Sequence, residues 1–182
     1  GLDLAYGNDP SVGPVPLVIE SLVASADHAE PMELSAQGSL IGQDFTLALS
    51  AGSLRQWLTK QPRPIHLTAT GSGAELRLDG TLQPMTATEG PKLSLNLSGT
   101  RFSELAEWTG VGARAKLPYA LSGDLQLNPA GWQINPLKAR LGRSRVEGRL
   151  GGITSGTENL YKFDLRFPML DLGELDRNLG GD

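Results

Sequence analysis

The chain has 182 residues, with 16 Lys and Arg against 20 Asp and Glu, a formal net charge of −4 and no cysteine. No basic stripe with interleaved aromatics exists to track phosphates, which excludes nucleic acid as the main partner, and the lack of thiols excludes disulfides, thiolate catalysis and Cys-based zinc sites. Hydrophobic residues make up 39% but aromatics only 5%, so the expected core is thin or shared and built mainly from leucine.

Strand signals begin at once. Residues 2–6 alternate, and Gly7-Asn8-Asp9-Pro10 breaks the run. The start has neither the basic nor the apolar region of a signal peptide and reads as cut from something longer. Residues 15–24 are β-rich, with Pro14 and Pro16 at their edge. Over 33–40, Leu34, Ala36, Gly38 and Leu40 share one face, and Glu33, Ser35, Gln37 and Ser39 the other. A turn at Gly42-Gln43-Asp44 leads into the alternation of 45–49, and Ser53 is the expected N-cap of a short helix over 53–59.

Residues 65–69 and 76–82 predict a hairpin joined at Gly71-Ser72-Gly73, and 93–97 alternates without a break. A second short helix is expected over 103–109, with Ser103 as N-cap, Glu104 in its first turn and Gly110 just past its end. Strands at 119–127 and 132–141 flank Asn128-Pro129-Ala130-Gly131, a type I turn. Strands at 146–150 and 161–167, separated by a loop over 151–159, bring the total to roughly eleven. No run approaches the ~20 apolar residues of a membrane span.

One arrangement recurs three times. Gly38-Ser39-Leu40, Gly80-Thr81-Leu82 and Gly148-Arg149-Leu150 each precede an alternating run, at 45–50, 93–98 and 163–167. Each run is followed by a short Leu-bearing segment: Leu54 to Leu58, Leu105 to Trp108, and Leu172-Gly173-Glu174-Leu175. One such unit cannot bury its own apolar face, whereas neighbours share a continuous one. The expected organisation is a single segment over 1–182 with units at about 33–60, 76–110 and 141–179 and an extra hairpin at 118–140. In the first two units Leu54 with Trp57, and Leu105 with Trp108, stand i, i+3 on one helical face. They read as structural plugs at sheet ends, not as ligand-stacking sites.

In nearly every strand one face is apolar and the other polar, a sheet with one dry and one wet side. The dry side must meet a second sheet, its own curl, or lipid chains in an open groove. Periodicity alone favours a sandwich or barrel.

Several stretches resemble the bacterial AsmA family. They are Glu33-Leu34-Ser35-Ala36-Gln37-Gly38 with Phe45-Thr46-Leu47 and Ser50-Ala51-Gly52-Ser53-Leu54, then Leu76-Arg77-Leu78-Asp79-Gly80-Thr81-Leu82, and Pro118-Tyr119-Ala120-Leu121-Ser122-Gly123. Leu141-Gly142-Arg143-Ser144-Arg145-Val146-Glu147-Gly148 and Leu170-Asp171-Leu172-Gly173-Glu174-Leu175 extend the pattern, with Arg143 where the family commonly has Asp. The resemblance runs from about Val15 to Leu175. It implies a periplasmic part of a protein anchored in the inner membrane of a Gram-negative bacterium. It further implies a non-enzymatic β-groove that helps phospholipids reach the outer membrane and supports its assembly.

The expected fold is therefore all-β: an elongated, curved, mostly antiparallel sheet, a groove or half-pipe of repeated strand units with two short helical caps. The apolar surface expected to meet phospholipid acyl chains comprises Leu34, Leu40, Phe45, Leu47, Leu49, Ile65, Leu67, Leu76, Leu78, Leu93, Leu95, Leu97, Leu121, Leu125, Phe163, Leu165 and Phe167. No catalytic residue, cofactor or metal is expected, and protein partners are not specified. The alternative is a closed β-sandwich whose edges bind partner proteins.

Lys138, Arg140, Arg143, Arg145 and Arg149 form the one basic cluster. It is either a patch for anionic headgroups or an acidic partner, or a solvated face that discourages edge pairing. His66 shares the polar strand face with Thr68 and Thr70, without a carboxylate at metal-ligand spacing. His28 reads as a surface turn, and no G-x-S-x-G elbow is present. Glu104 and Glu107 read as a solvated helix face. Gly71-x-Gly73 and Gly110-x-Gly112 read as turns without the rest of a dinucleotide loop. Asp171, Glu174 and Asp176 read as a strand end or cap, not a calcium loop.

Overall fold

A computed structural model describes residues 2–6, 15–85, 90–109, 115–155 and 158–179. Eleven strands follow one another in chain order within a single sheet. They are β1 (Leu2–Tyr6), β2 (Val15–Ser25), β3 (Pro31–Leu40), β4 (Gln43–Ser53), β5 (Arg63–Gly71), β6 (Ala74–Leu82), β7 (Lys92–Gly99), β8 (Tyr119–Asn128), β9 (Gly131–Leu141), β10 (Ser144–Ser155) and β11 (Glu158–Met169). Every neighbouring pair is antiparallel, and β1 and β11 are the two edges, so the sheet is open. The second sheet of a sandwich is not found among the described residues.

The turns follow from the sequence. Gly42 and Gly73 have φ of 71° and 70° at hairpin tips, a conformation that costs glycine nothing. The Pro129-Ala130 turn joins β8 to β9, as its turn chemistry requires. The expected loop over 151–159 is largely strand: Gly151 to Ser155 pair with Lys162 to Glu158. Two glycines and two polar residues in that stretch hid a hairpin extension from a reading based on alternation.

The three Gly-x-Leu glycines share a physical reason. A Cβ at Gly38, Gly80 or Gly148 would overlap the carbonyl oxygen of Val18, Lys92 or Asp164 on the neighbouring strand. Each marks a place where two backbones approach too closely for a side chain.

Three helices punctuate the sheet: α1 (Leu54–Leu58) after β4, α2 (Phe102–Thr109) after β7 and α3 (Leu172–Leu179) after β11. The third was not expected as a helix. Its N-cap is Asp171, whose Oδ1 accepts from the Glu174 amide at 2.9 Å, a local bond that the read-as-strand tail concealed. Each helix entry returns to an earlier hairpin turn. The Leu54 amide donates to the Asp27 carbonyl, the Thr100 amide to the Gly73 carbonyl, and the Asp171 amide to Ser144 Oγ. The repeat seen in the sequence is thus a strand–turn–strand–helix unit locked to the turn before it.

Ser53 caps α1 with a full capping box, its side chain on the Gln56 amide and Gln56 Oε1 on the Ser53 amide. Trp57 is not a buried plug. It is 38% exposed and lies under the Arg63 guanidinium, 3.6 Å from ring centroid to Cζ. Helix α2 starts at Phe102, two residues earlier than a Ser103 cap requires. Its first amides are taken by the Leu117 and Ala115 carbonyls instead of a side chain. The side chains of Glu107 and Trp108, the pair Gly110 and Gly112, and the break at residues 7–10 lie outside the described residues.

One buried cluster is small and local. Ala106 (1% exposed), Ala115, Leu117 and Tyr119 are buried at the α2 end of the sheet, with Phe102 edge-on to Tyr119 at 5.7 Å. The Tyr119 ring lies where a Gly99 side chain would otherwise be.

Candidate functional site

The register carries the apolar residues into continuous rows across the sheet. One row runs Ala24, Leu34, Leu49, Leu67, Leu78, Leu95, Gly123, Leu137, Gly148, Leu165. A second runs Leu22, Ala36, Leu47, Ala69, Leu76, Leu97, Leu121, Ala139, Val146. A third runs Ala51, Ile65, Gly80, Leu93, Leu125, Ile134, Leu150, Phe163. Pairing of successive strands therefore gathers the expected apolar residues onto one face, Leu40, Phe45 and Phe167 among them.

That face is neither buried nor bare. Leu93 is buried at 5% exposure, and the expected residues from Leu34 to Leu125 are otherwise partly buried. Phe163, Leu165 and Phe167 on edge strand β11 are exposed, Phe163 at 70%. A partly buried leucine keeps only a fraction of the ~1.5–3 kcal/mol that full burial contributes. The face can therefore still gain free energy by meeting another apolar surface.

Ile134 and Leu137 also belong to this face, buried at 7% and 5%, although their spacing of three breaks the strand period. Asn135 and Pro136 form a bulge, two residues standing opposite Asp124 on β8 and Arg149 on β10. The bulge places Pro136, which has no amide to donate, inside the sheet. It also reverses the facing of the rest of β9, so Lys138 and Arg140 leave from the polar side, where strict alternation would put them among the leucines. The Asn-Pro dipeptide was the signal for it.

The basic cluster separates into pairs. Arg149 meets Asp164 at 2.9 Å, and Arg143 lies 3.8 Å from Asp171 while its amide donates to Glu174 Oε2 at 2.6 Å. Lys138 stands opposite Glu147, and Arg140 opposite Arg145. His28 is exposed in the 26–30 turn, where the Ala29 amide donates to Asp27 Oδ1. Glu104 departs from the solvated reading: its side chain is 18% exposed and pairs with Arg101 at 2.6 Å. Burial, and secondarily the Glu104 carboxylate, raise the Tyr119 hydroxyl above its ordinary value.

The fold also creates a Ser-His-Asp row that the sequence did not suggest. Ser50 stands opposite His66, and His66 Nδ1 meets Asp79 Oδ1 at 2.8 Å. No hydrogen bond joins Ser50 to His66 among the described residues, and the His66 and Asp79 side chains are 62% and 52% exposed. The central strand amides are committed to the ladder, leaving no oxyanion donors beside the serine. The row is a wet cross-strand pair with a neighbour, not a nucleophile. No group of three metal-ligating side chains occurs among the described residues, and no described helix is long and apolar enough to cross a membrane.

One surface depression on the polar face lies over the short side chains of Asn96, Ser98, Ala120 and Ser122, and another over Ser35, Ala48 and Ser50. The class these features define is an open antiparallel sheet with one continuous apolar face. No family model, curated protein or solved structure matches the chain.

Proposed function

We propose that this chain is a non-enzymatic lipid-binding scaffold, of the AsmA type that its strand motifs resemble, whose apolar face solvates phospholipid acyl chains. The observation that carries the reading is the three leucine-rich rows left partly exposed on an open sheet. In this reading the chain belongs to a longer periplasmic protein anchored in the inner membrane, and serves phospholipid transport to, or assembly of, the outer membrane.

Physical chemistry favours passage over storage. Full burial of a methylene contributes ~0.8 kcal/mol, and a chain lying on an open face is covered on one side only, so it gains roughly half of that. Many weak, similar contacts along a row hold a chain without trapping it.

The test is native mass spectrometry and extraction of the purified protein. Bound phospholipid is expected with the natural sequence. Leu67→Arg and Leu95→Arg should abolish it, while Thr68→Arg on the opposite face of β5 should not. A protein free of lipid, or one whose lipid survives both leucine substitutions with the fold intact by circular dichroism, would rule the reading out. It would leave a protein-interaction module as the role of the face.

A further inference from the structure

Several charges on the polar face are matched by a side chain close by. Arg149 has Asp164, Arg77 has Glu75 at 2.6 Å, and His66 has Asp79. Arg140 and Arg145 differ from these in bringing two like charges together. They stand directly opposite each other on β9 and β10, both exposed, and neither forms an ion pair among the described residues. Like charges placed directly opposite are destabilising, so the pair lacks a counter-charge.

The surroundings have the form of a receptor for one. The two arginines border a depression lined by Asn96, Ser98, Ala120 and Ser122, whose short side chains leave the space unfilled. Lys138 borders it as well, opposite Ser122. Glu147 is the one acidic group on the rim, and it stands between Lys138 on β9 and Arg166 on β11, two cations that offset its charge. The local balance is positive on a chain whose net charge is −4.

We propose that this depression binds a phosphate-type oxyanion between the Arg140 and Arg145 guanidinium groups. Guanidinium forks match the oxygen spacing of a phosphate and hold it bidentately, which an ammonium cannot do. The site lies on the face opposite the leucine rows. A phospholipid whose chains rest on the apolar face cannot place its own headgroup there, and the proposal stands apart from the lipid reading. The phosphate comes from a second source: a small phosphate-bearing molecule, or the headgroups of a membrane against which the polar face rests.

Calorimetric titration at low ionic strength with inorganic phosphate and phenyl phosphate tests the site. Vesicles of phosphatidylcholine with and without phosphatidylglycerol distinguish the sources. Saturable binding of one phosphate is expected. Arg140→Gln and Arg145→Gln should each weaken it about tenfold, and Arg145→Lys should weaken it too, since it keeps the charge and loses the fork. Arg77→Gln, elsewhere on the same face, should leave it unchanged. Vesicle binding that free phosphate competes away and Arg145→Gln abolishes identifies the headgroup; phosphate binding without vesicle binding identifies the small molecule. The proposal is overturned if neither probe binds, if Arg145→Lys binds like the natural protein, or if Arg77→Gln is as damaging as the site variants.

Discussion

Tyr119 shows how much a single residue's setting depends on the fold. From the sequence it opens a strand; in the structure it is 5% exposed, covers Gly99 and meets Phe102 edge-on. Its hydroxyl and Glu104 Oε2 have no hydrogen-bond partner among the described residues. Burial first, and Glu104 second, raise its pKa above 10.0. The folded state therefore holds the phenolic proton at pH values where the unfolded chain has released it. Stability is unaffected below the ordinary tyrosine value and falls as pH rises from there toward the folded value. Ultraviolet titration of the phenolates should show Tyr119 ionising above a free tyrosine, and urea unfolding should show the loss of stability starting near pH 10. A Tyr119→Phe variant that titrates and unfolds like the natural protein would refute this account.

The short helices are legible where their chemistry is local. Five residues cannot hold a helix by propensity alone, and α1 depends on its capping box. Ser53→Ala should cost about 1 kcal/mol, read as a lowered urea midpoint at constant slope; an unchanged midpoint would show that the Leu54 to Asp27 backbone bond suffices. The Ser53 cap could be read because cap and capped amide are three residues apart. The start of α2 could not, since its amides are satisfied by residues 115 and 117 from beyond the helix. Helix α3 carries the local sign of an Asp171 cap, yet its tie to Arg143 spans 31 residues and has no sequence signature.

For the whole molecule, an open sheet leaves apolar area in the native state that a sandwich would hide. The folded protein should enhance the fluorescence of a hydrophobic dye such as ANS while its near-ultraviolet circular dichroism is intact, and lose that enhancement on unfolding. An ordinary sandwich does the reverse, gaining signal only when its packing loosens. A native protein that leaves the dye dark would mean the leucine rows are covered. This readout needs no bound lipid and reports on the fold alone.

Alternation, turn residues and the Ser53 cap are local matters, and the sequence by itself determined them: an all-β chain, roughly eleven strands, wet and dry faces, and a unit repeated three times. Which strands share a sheet is not local, because the dry face of a strand is equally satisfied by a second sheet, a barrel or an open row of neighbours. Only the tertiary structure decided for one open sheet. It also decided, through the Asn135-Pro136 bulge, that Lys138 and Arg140 leave from the polar side. Ser50, His66 and Asp79, like Arg140 and Arg145, become neighbours only through register. Register is set by the alternation of whole strands together with the turns that join them, and it comes into view only once the strands are paired.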